Sequence, residues 1–125
     1  MIVDRDKFQK FQEQSSAVFD GAAVGEQFIT IQWAKDNNCK LSKIAFYLST
    51  TIKSEQSIKA LELAGHALTE NTSDIAAKED DIDALNFLYS STKCPLGKEA
   101  LFAYARNGVL DMVLTLTKSG NLSFG

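Results

Sequence analysis

The sequence is poor in the residues that interrupt or cross-link a chain. Its 125 residues include one proline, Pro95, seven glycines and two cysteines, Cys39 and Cys94. So little punctuation excludes collagen-like, linker-like and disordered compositions, and it argues against a sandwich of many strands joined by glycine- and proline-rich turns. Two thiols allow at most one disulfide, whereas a small secreted domain short of core uses several, so both are expected to be free, buried and reduced. No apolar run approaches the ~20 residues that span a bilayer. At the start, Met1-Ile2-Val3-Asp4-Arg5-Asp6 places acids where a secretory signal needs basic and then apolar residues. A cytoplasmic protein without a membrane partner is the expectation. The sequence also lacks a glycine-rich phosphate loop, a paired-cysteine motif and a nucleophile elbow.

Apolar residues make up 45% of the chain, with eight Phe, three Tyr and one Trp, enough for a core in one domain of residues 1–125. Thirteen basic against sixteen acidic side chains give a net charge of −3, which argues against coating nucleic acid or anionic lipid. The charge is unevenly spread: residues 1–59 carry +1, residues 60–92 carry −6 and residues 93–125 carry +2.

Helical spacing dominates the pattern. Phe8, Phe11, Ser15, Val18 and Phe19 predict a helix over about 5–19, capped by Asp4 or Asp6 and broken by Gly21 and Gly25. Phe28, Ile31 and Trp33 predict a second over 26–36; the segment also alternates like a strand, but Ala34 and Lys35 extend it as helix. Leu41, Ile44, Ala45, Leu48 and Ile52 mark a third. A fourth follows Ser54, with Ile58, Leu61, Ala64 or Gly65, and Leu68 on one face, and Asn71-Thr72-Ser73 supplies its stop and a new cap. Ile82, Leu85, Leu88 and Tyr89 form the stripe of a fifth, beginning near Asp74 or Asp80 and ending at Lys93-Cys94-Pro95. A sixth over about 97–106 stops at Asn107-Gly108, a left-handed cap signal, and a seventh runs from Leu110 to Lys118. The expected architecture is all-α, a compact bundle of about seven short helices arranged as αα-hairpins.

From Leu101-Phe102-Ala103-Tyr104-Ala105-Arg106-Asn107-Gly108 through Leu110-Asp111-Met112-Val113 to Leu116 and Gly120, two glycines twelve apart bracket a helix pair. This segment resembles the helix-turn-helix core of an ankyrin repeat. It departs from that pattern at Tyr104, where a small residue is usual, at Phe102, where His is usual, and in having no Thr-Pro-Leu-His opening. No second copy stands at the family's period, so the segment reads by itself as a generic αα-hairpin. The resemblance implies a protein-binding surface and no chemistry. Residues 41–61 are in turn similar to the helix-turn-helix of DNA-binding regulators. Ala45 would let two helices cross closely, and Lys43, Lys53, Gln56, Ser57 and Lys59 would meet major groove and phosphates. Against that, the turn reads about three residues too long, Ser49 stands where the motif has glycine, and no arginine lies in the reading helix.

Chemistry-bearing residues are few. His66 is the only histidine; Glu62, His66 and Glu70, spaced four apart, would line one helical stripe. The outer two would then lie about 12 Å apart by helical rise, too far for one ion. A solvated row, with no metal and no cofactor, is the expectation. Cys94, before Pro95 and near a helix start, sits where a thiolate is favoured. The densest acidic cluster is Glu79, Asp80, Asp81 and Asp83, which with Glu70 and Asp74 offers a face for a basic partner or else complements helix dipoles. The functional expectation is a non-enzymatic module of the inhibitor, immunity or accessory-factor type that binds another protein through helical faces and this patch. The alternative is a helix-turn-helix regulator using residues 41–61.

Overall fold

A computed structural model describes residues 5–108, and among them all regular structure is helical. Eight helices follow in order: α1 (Arg5–Gln14), α2 (Ser16–Val24), α3 (Phe28–Asp36), α4 (Ala45–Thr51), α5 (Glu55–Leu63), α6 (Glu70–Lys78), α7 (Ile82–Thr92) and α8 (Lys98–Arg106). The expected helix over 110–118, and with it the second half of the ankyrin-like segment, lies outside the described residues. No described helix is long and apolar enough to cross a membrane.

The chain divides into two compact units, one ending at Leu68 and the other beginning at Thr69. In the first, α2 packs against α3, α4 and α5, and α5 packs also on α3 and α4. Phe19, Ile31, Phe46, Ile58 and Leu61 fill the centre, and Ala22, Ala23, Ala34 and Ala45 let the helices approach. In the second, α6 lies against α7 and α8, around Leu85, Leu88, Tyr104, Ala76, Ala100 and Ala103.

What joins these short helices is one backbone device used repeatedly. Seven described residues have left-handed φ: Glu26, Asn38, Lys53, Gly65, Asp80, Lys93 and Gly108. At five of them the next residue's N–H reaches back five positions to a helix carbonyl: Gln27 to Ala22, Cys39 to Ala34, Ser54 to Ser49, His66 to Leu61 and Asp81 to Ala76, at 2.8 to 3.2 Å. This is the Schellman ending, which pairs carbonyls that a helix terminus would leave open. The seven fall into two interleaved series. Glu26, Lys53 and Asp80 close the first helix of a pair and Gly108 closes α8, Asn38, Gly65 and Lys93 close the second helix of a pair, and within each series the interval is 27 or 28 residues.

The helix pair therefore recurs among the described residues as α2–α3, α4–α5 and α6–α7, and α8 follows in the register of a first helix. Side chains recur in the same register. Before the first turn come Ala22-Ala23, Ser49-Thr50, Ala76-Ala77 and Tyr104-Ala105; after it, Ile31, Ile58 and Leu85, then Ala34, Leu61 and Leu88. The recurrence is invisible at the roughly 33-residue ankyrin period because the spacing here is shorter. It is invisible at its own spacing because five of the seven turns carry no glycine.

Several boundaries differ from those the sequence predicts. The first helix is split at Ser15, whose buried hydroxyl donates to Gln12 O and accepts the N–H of Lys40, tying the chain down mid-course. Gly21 breaks nothing: it sits within α2, and the helix runs to Val24. The third predicted helix starts only at Ala45, because Ser42 Oγ accepts the N–H groups of Ile44 and Ala45, leaving Leu41 and Ile44 exposed. Asn71-Thr72-Ser73 is no stop. It lies inside α6, where Thr72 Oγ1 accepts the N–H of Thr69, the cap. The fourth predicted helix ends at Leu63, since Gly65 takes the left-handed turn instead of facing the core.

Non-glycine residues in left-handed turns carry a steric cost. Lys53→Gly should therefore raise the unfolding free energy by about 0.5–1 kcal/mol, and Gly65→Ala should lower it by about 1 kcal/mol or more, both read from denaturant midpoints.

Candidate functional site

The six acids singled out by sequence all lie in the second unit, but they do not make one patch. Glu70 is the first residue of α6, while Glu79, Asp80, Asp81 and Asp83 surround the turn from α6 to α7. Helical rise alone separates the two groups by about 13 Å. Three of the six have work inside the fold. Asp81 caps α7, its carboxylate accepting the N–H of Ala84 at 3.0 Å. Asp74, on α6, caps α8 from outside: Oδ1 accepts from Glu99 N–H at 3.2 Å and Ala100 N–H at 3.3 Å. That placement requires Gly97, where a side chain would overlap the Asp74 carboxyl. Asp80 holds the left-handed turn and pairs with the guanidinium of Arg106. The segment's acidity thus serves in good part to neutralise helix N-termini. Glu70, Glu79 and Asp83 point to solvent and remain the candidates for an external cation.

Residues 41–61 form a tighter hairpin than the sequence suggests. Because α4 continues through Thr51, the turn is only Ile52-Lys53-Ser54, a length the helix-turn-helix motif uses, and Lys53 supplies the left-handed residue. Ser54 caps α5 by accepting the N–H of Ser57 at 3.1 Å. Ser57, however, is no groove-facing residue. It is fully buried, and its hydroxyl donates to Ala23 O at 2.8 Å. Lys43, Lys53, Gln56 and Lys59 are exposed, but Glu55 and Glu62 are exposed on α5 with Lys59. A reading helix with two carboxylates and one ammonium is a poor match for phosphate.

His66 does not share a stripe with Glu62 and Glu70, because α5 ends before it and α6 begins after it. It follows the left-handed Gly65 and points inward, 6% exposed. Cys39 and Cys94 follow Asn38 and Lys93 in the same way, so the two thiols and the only imidazole occupy one register position of the recurring pair, buried each time. The ring stands edge-on to Phe19 and Phe46, with centroids 4.6 and 5.9 Å away. Its Nε2 accepts the Ser42 N–H at 2.9 Å, and Nδ1 lies 3.2 Å from Leu61 O, so the neutral Nδ1–H tautomer satisfies both. Ser42 Oγ in turn donates to Asp20. This Asp–Ser–His set is not a nucleophile relay, since the imidazole meets the serine's backbone N–H and not its hydroxyl. Burial pushes the Cys94 thiol up to about 11, outweighing any help from a helix start, and pushes the Cys39 thiol up as well. Among the described residues no three His, Cys, Asp or Glu side chains gather as a metal set.

Sequence reasoning missed Asp20 and Ser42, which are 22 residues apart and carry no local signal. It also missed the outward face of α3, where Ile29 is 88% and Trp33 48% exposed while Ile31 and Ala34 are buried. The departure at Tyr104 has a structural answer: the ring is wholly buried and its hydroxyl donates to Asn86 of α7 at 2.9 Å. No family model, curated protein or solved structure matches the chain.

The acids should separate by mutation. Asp81→Ala should cost about 1 kcal/mol of stability, whereas Glu79→Ala and Asp83→Ala should stay within about 0.5 kcal/mol of the parent, measured by equilibrium denaturation.

Proposed function

We propose that the chain is a non-enzymatic protein-interaction module built of tandem helix pairs and working in the cytosol. The observation that carries this reading is the return of the left-handed turns every 27 or 28 residues. Helix pairs repeated in this way leave outward helical faces free for a partner. The ankyrin-like residues 101–108 fall in register with the earlier pairs, which supports the same reading. Further support comes from how the reactive side chains are spent: both nitrogens of His66 are bonded inside the fold, the two cysteines are buried, and Asp74 and Asp81 cap helices. The docking residues assigned to the partner are Glu79 and Asp83, with Glu70 beyond them and the exposed Phe102 of α8 in the same unit. A partner of basic character fits their charge.

A photo-cross-linking residue at Asp83 should give one dominant protein adduct in cells, and the same probe at Lys59 should not. Adding Glu79→Lys should weaken the Asp83 adduct several-fold while leaving thermal stability unchanged. An adduct indifferent to that substitution removes the acidic docking site. Retention on duplex DNA at low salt, lost in Lys59→Glu, would favour the regulator reading instead.

A further inference from the structure

The register position that holds Cys39 and Cys94 in the other described copies holds a histidine in the second copy. A thiol there fills space and stays neutral. An imidazole fills the same space but can change charge, and this one reaches across to the segment that leads into α4. Ser42 is the centre of that segment: its N–H is accepted by His66 Nε2, its hydroxyl donates to Asp20 of α2, and its Oγ accepts the first free N–H groups of α4, Ile44 and Ala45 at 3.1 Å each. One residue thus connects α2, the start of α4 and the ring that follows α5.

We propose that His66 is a proton-operated latch: neutral, its Nε2 holds Ser42 and with it the linker from α3 to α4; protonated, it releases them. The chemistry is a single proton taken from solvent. An imidazolium has no lone pair, so Nε2 becomes a donor and faces the Ser42 N–H donor to donor, while Nδ1–H keeps its bond to Leu61 O. The surroundings give the cation little compensation. From α4 comes the Phe46 ring, from α5 the Leu61 carbonyl and from α2 the Phe19 ring; Asp20 is the carboxylate that acts on it. Burial outweighs Asp20 and lowers the imidazole below its ordinary 6.5.

The sign follows. The released state takes up a proton near pH 6.5, while the held state does not until its own lower value. Release therefore becomes easier as pH falls through 6.5, by up to about tenfold per pH unit, and levels off once the held ring itself protonates. Above pH 7 the latch is closed and indifferent to pH. This device stands on its own geometry and does not depend on the partner reading.

Amide hydrogen exchange on the full chain, corrected for intrinsic rates, tests it. Between pH 7 and pH 5 the protection of Ser42, Ile44 and Ala45 should fall together, by up to about tenfold per unit below pH 6.5. In His66→Cys, which imports the residue of the neighbouring copies, the protection of Ile44 and Ala45 should be flat across the same window. In Asp20→Asn the pH dependence should persist. Flat protection in the parent, or an undiminished slope in His66→Cys, overturns the latch. Nitrogen shifts of the ring provide a second reading: at pH 7 Nε2 must be the unprotonated nitrogen, and the opposite tautomer would also overturn it.

Discussion

A helix of about nine residues leaves nearly as many backbone groups open at its ends as it closes within, and the described residues are built of such helices. The left-handed turn answers this constraint. By reversing the sign of φ at one residue, it brings the next N–H under the open carbonyls and starts the following helix in the opposite direction. Everything else depends on that exchange. Small pairs such as Ala22-Ala23 and Ala76-Ala77 stand before the turn because the reversed helix passes close by. Ser54 and Asp81 follow it because the new helix needs a cap at once.

The same turn fixes where side chains go afterwards. The residue after the second left-handed position always points inward, so Cys39, His66 and Cys94 are buried by register and not by any property they share. Function has to be sought in what is left over. In the second unit Asp74 and Asp81 are taken up as caps and Asp80 by Arg106, so that of the six acids Glu70, Glu79 and Asp83 are left as exposed carboxylates. In the first unit Ser57 is taken up by Ala23 O, and α5 presents carboxylates beside its lysine. A surface read from composition alone overcounts, because a charged residue near a helix end has two possible duties.

Much of this was legible in the residue order. The fold class, a helix starting after Ser54, a helix ending at Asp36 and the stop at Asn107-Gly108 all follow from period and local propensity, although the helix expected over 26–36 begins at Phe28, because Glu26 takes a left-handed turn. The repeat was not. Its glycines survive only at Gly65 and Gly108 of the seven left-handed positions, while Glu26, Lys53, Asp80 and Lys93 are residues that ordinarily signal helix or loop. The break at Ser15 and the late start of α4 were hidden too, since both are imposed by partners 25 and three residues away.

Sequence by itself determined that this chain forms short amphipathic helices with a modest acidic surplus, because those are properties of spacing and composition. Tertiary structure alone decided which polar groups are spent and which are free. Whether Asp74 faces a solvent cation or the N-terminus of α8, and whether His66 joins a row of ligands or holds Ser42, depends on backbone brought in from some 25 residues away. Such a meeting is governed by chain reversal in three dimensions, and no window along the chain contains it.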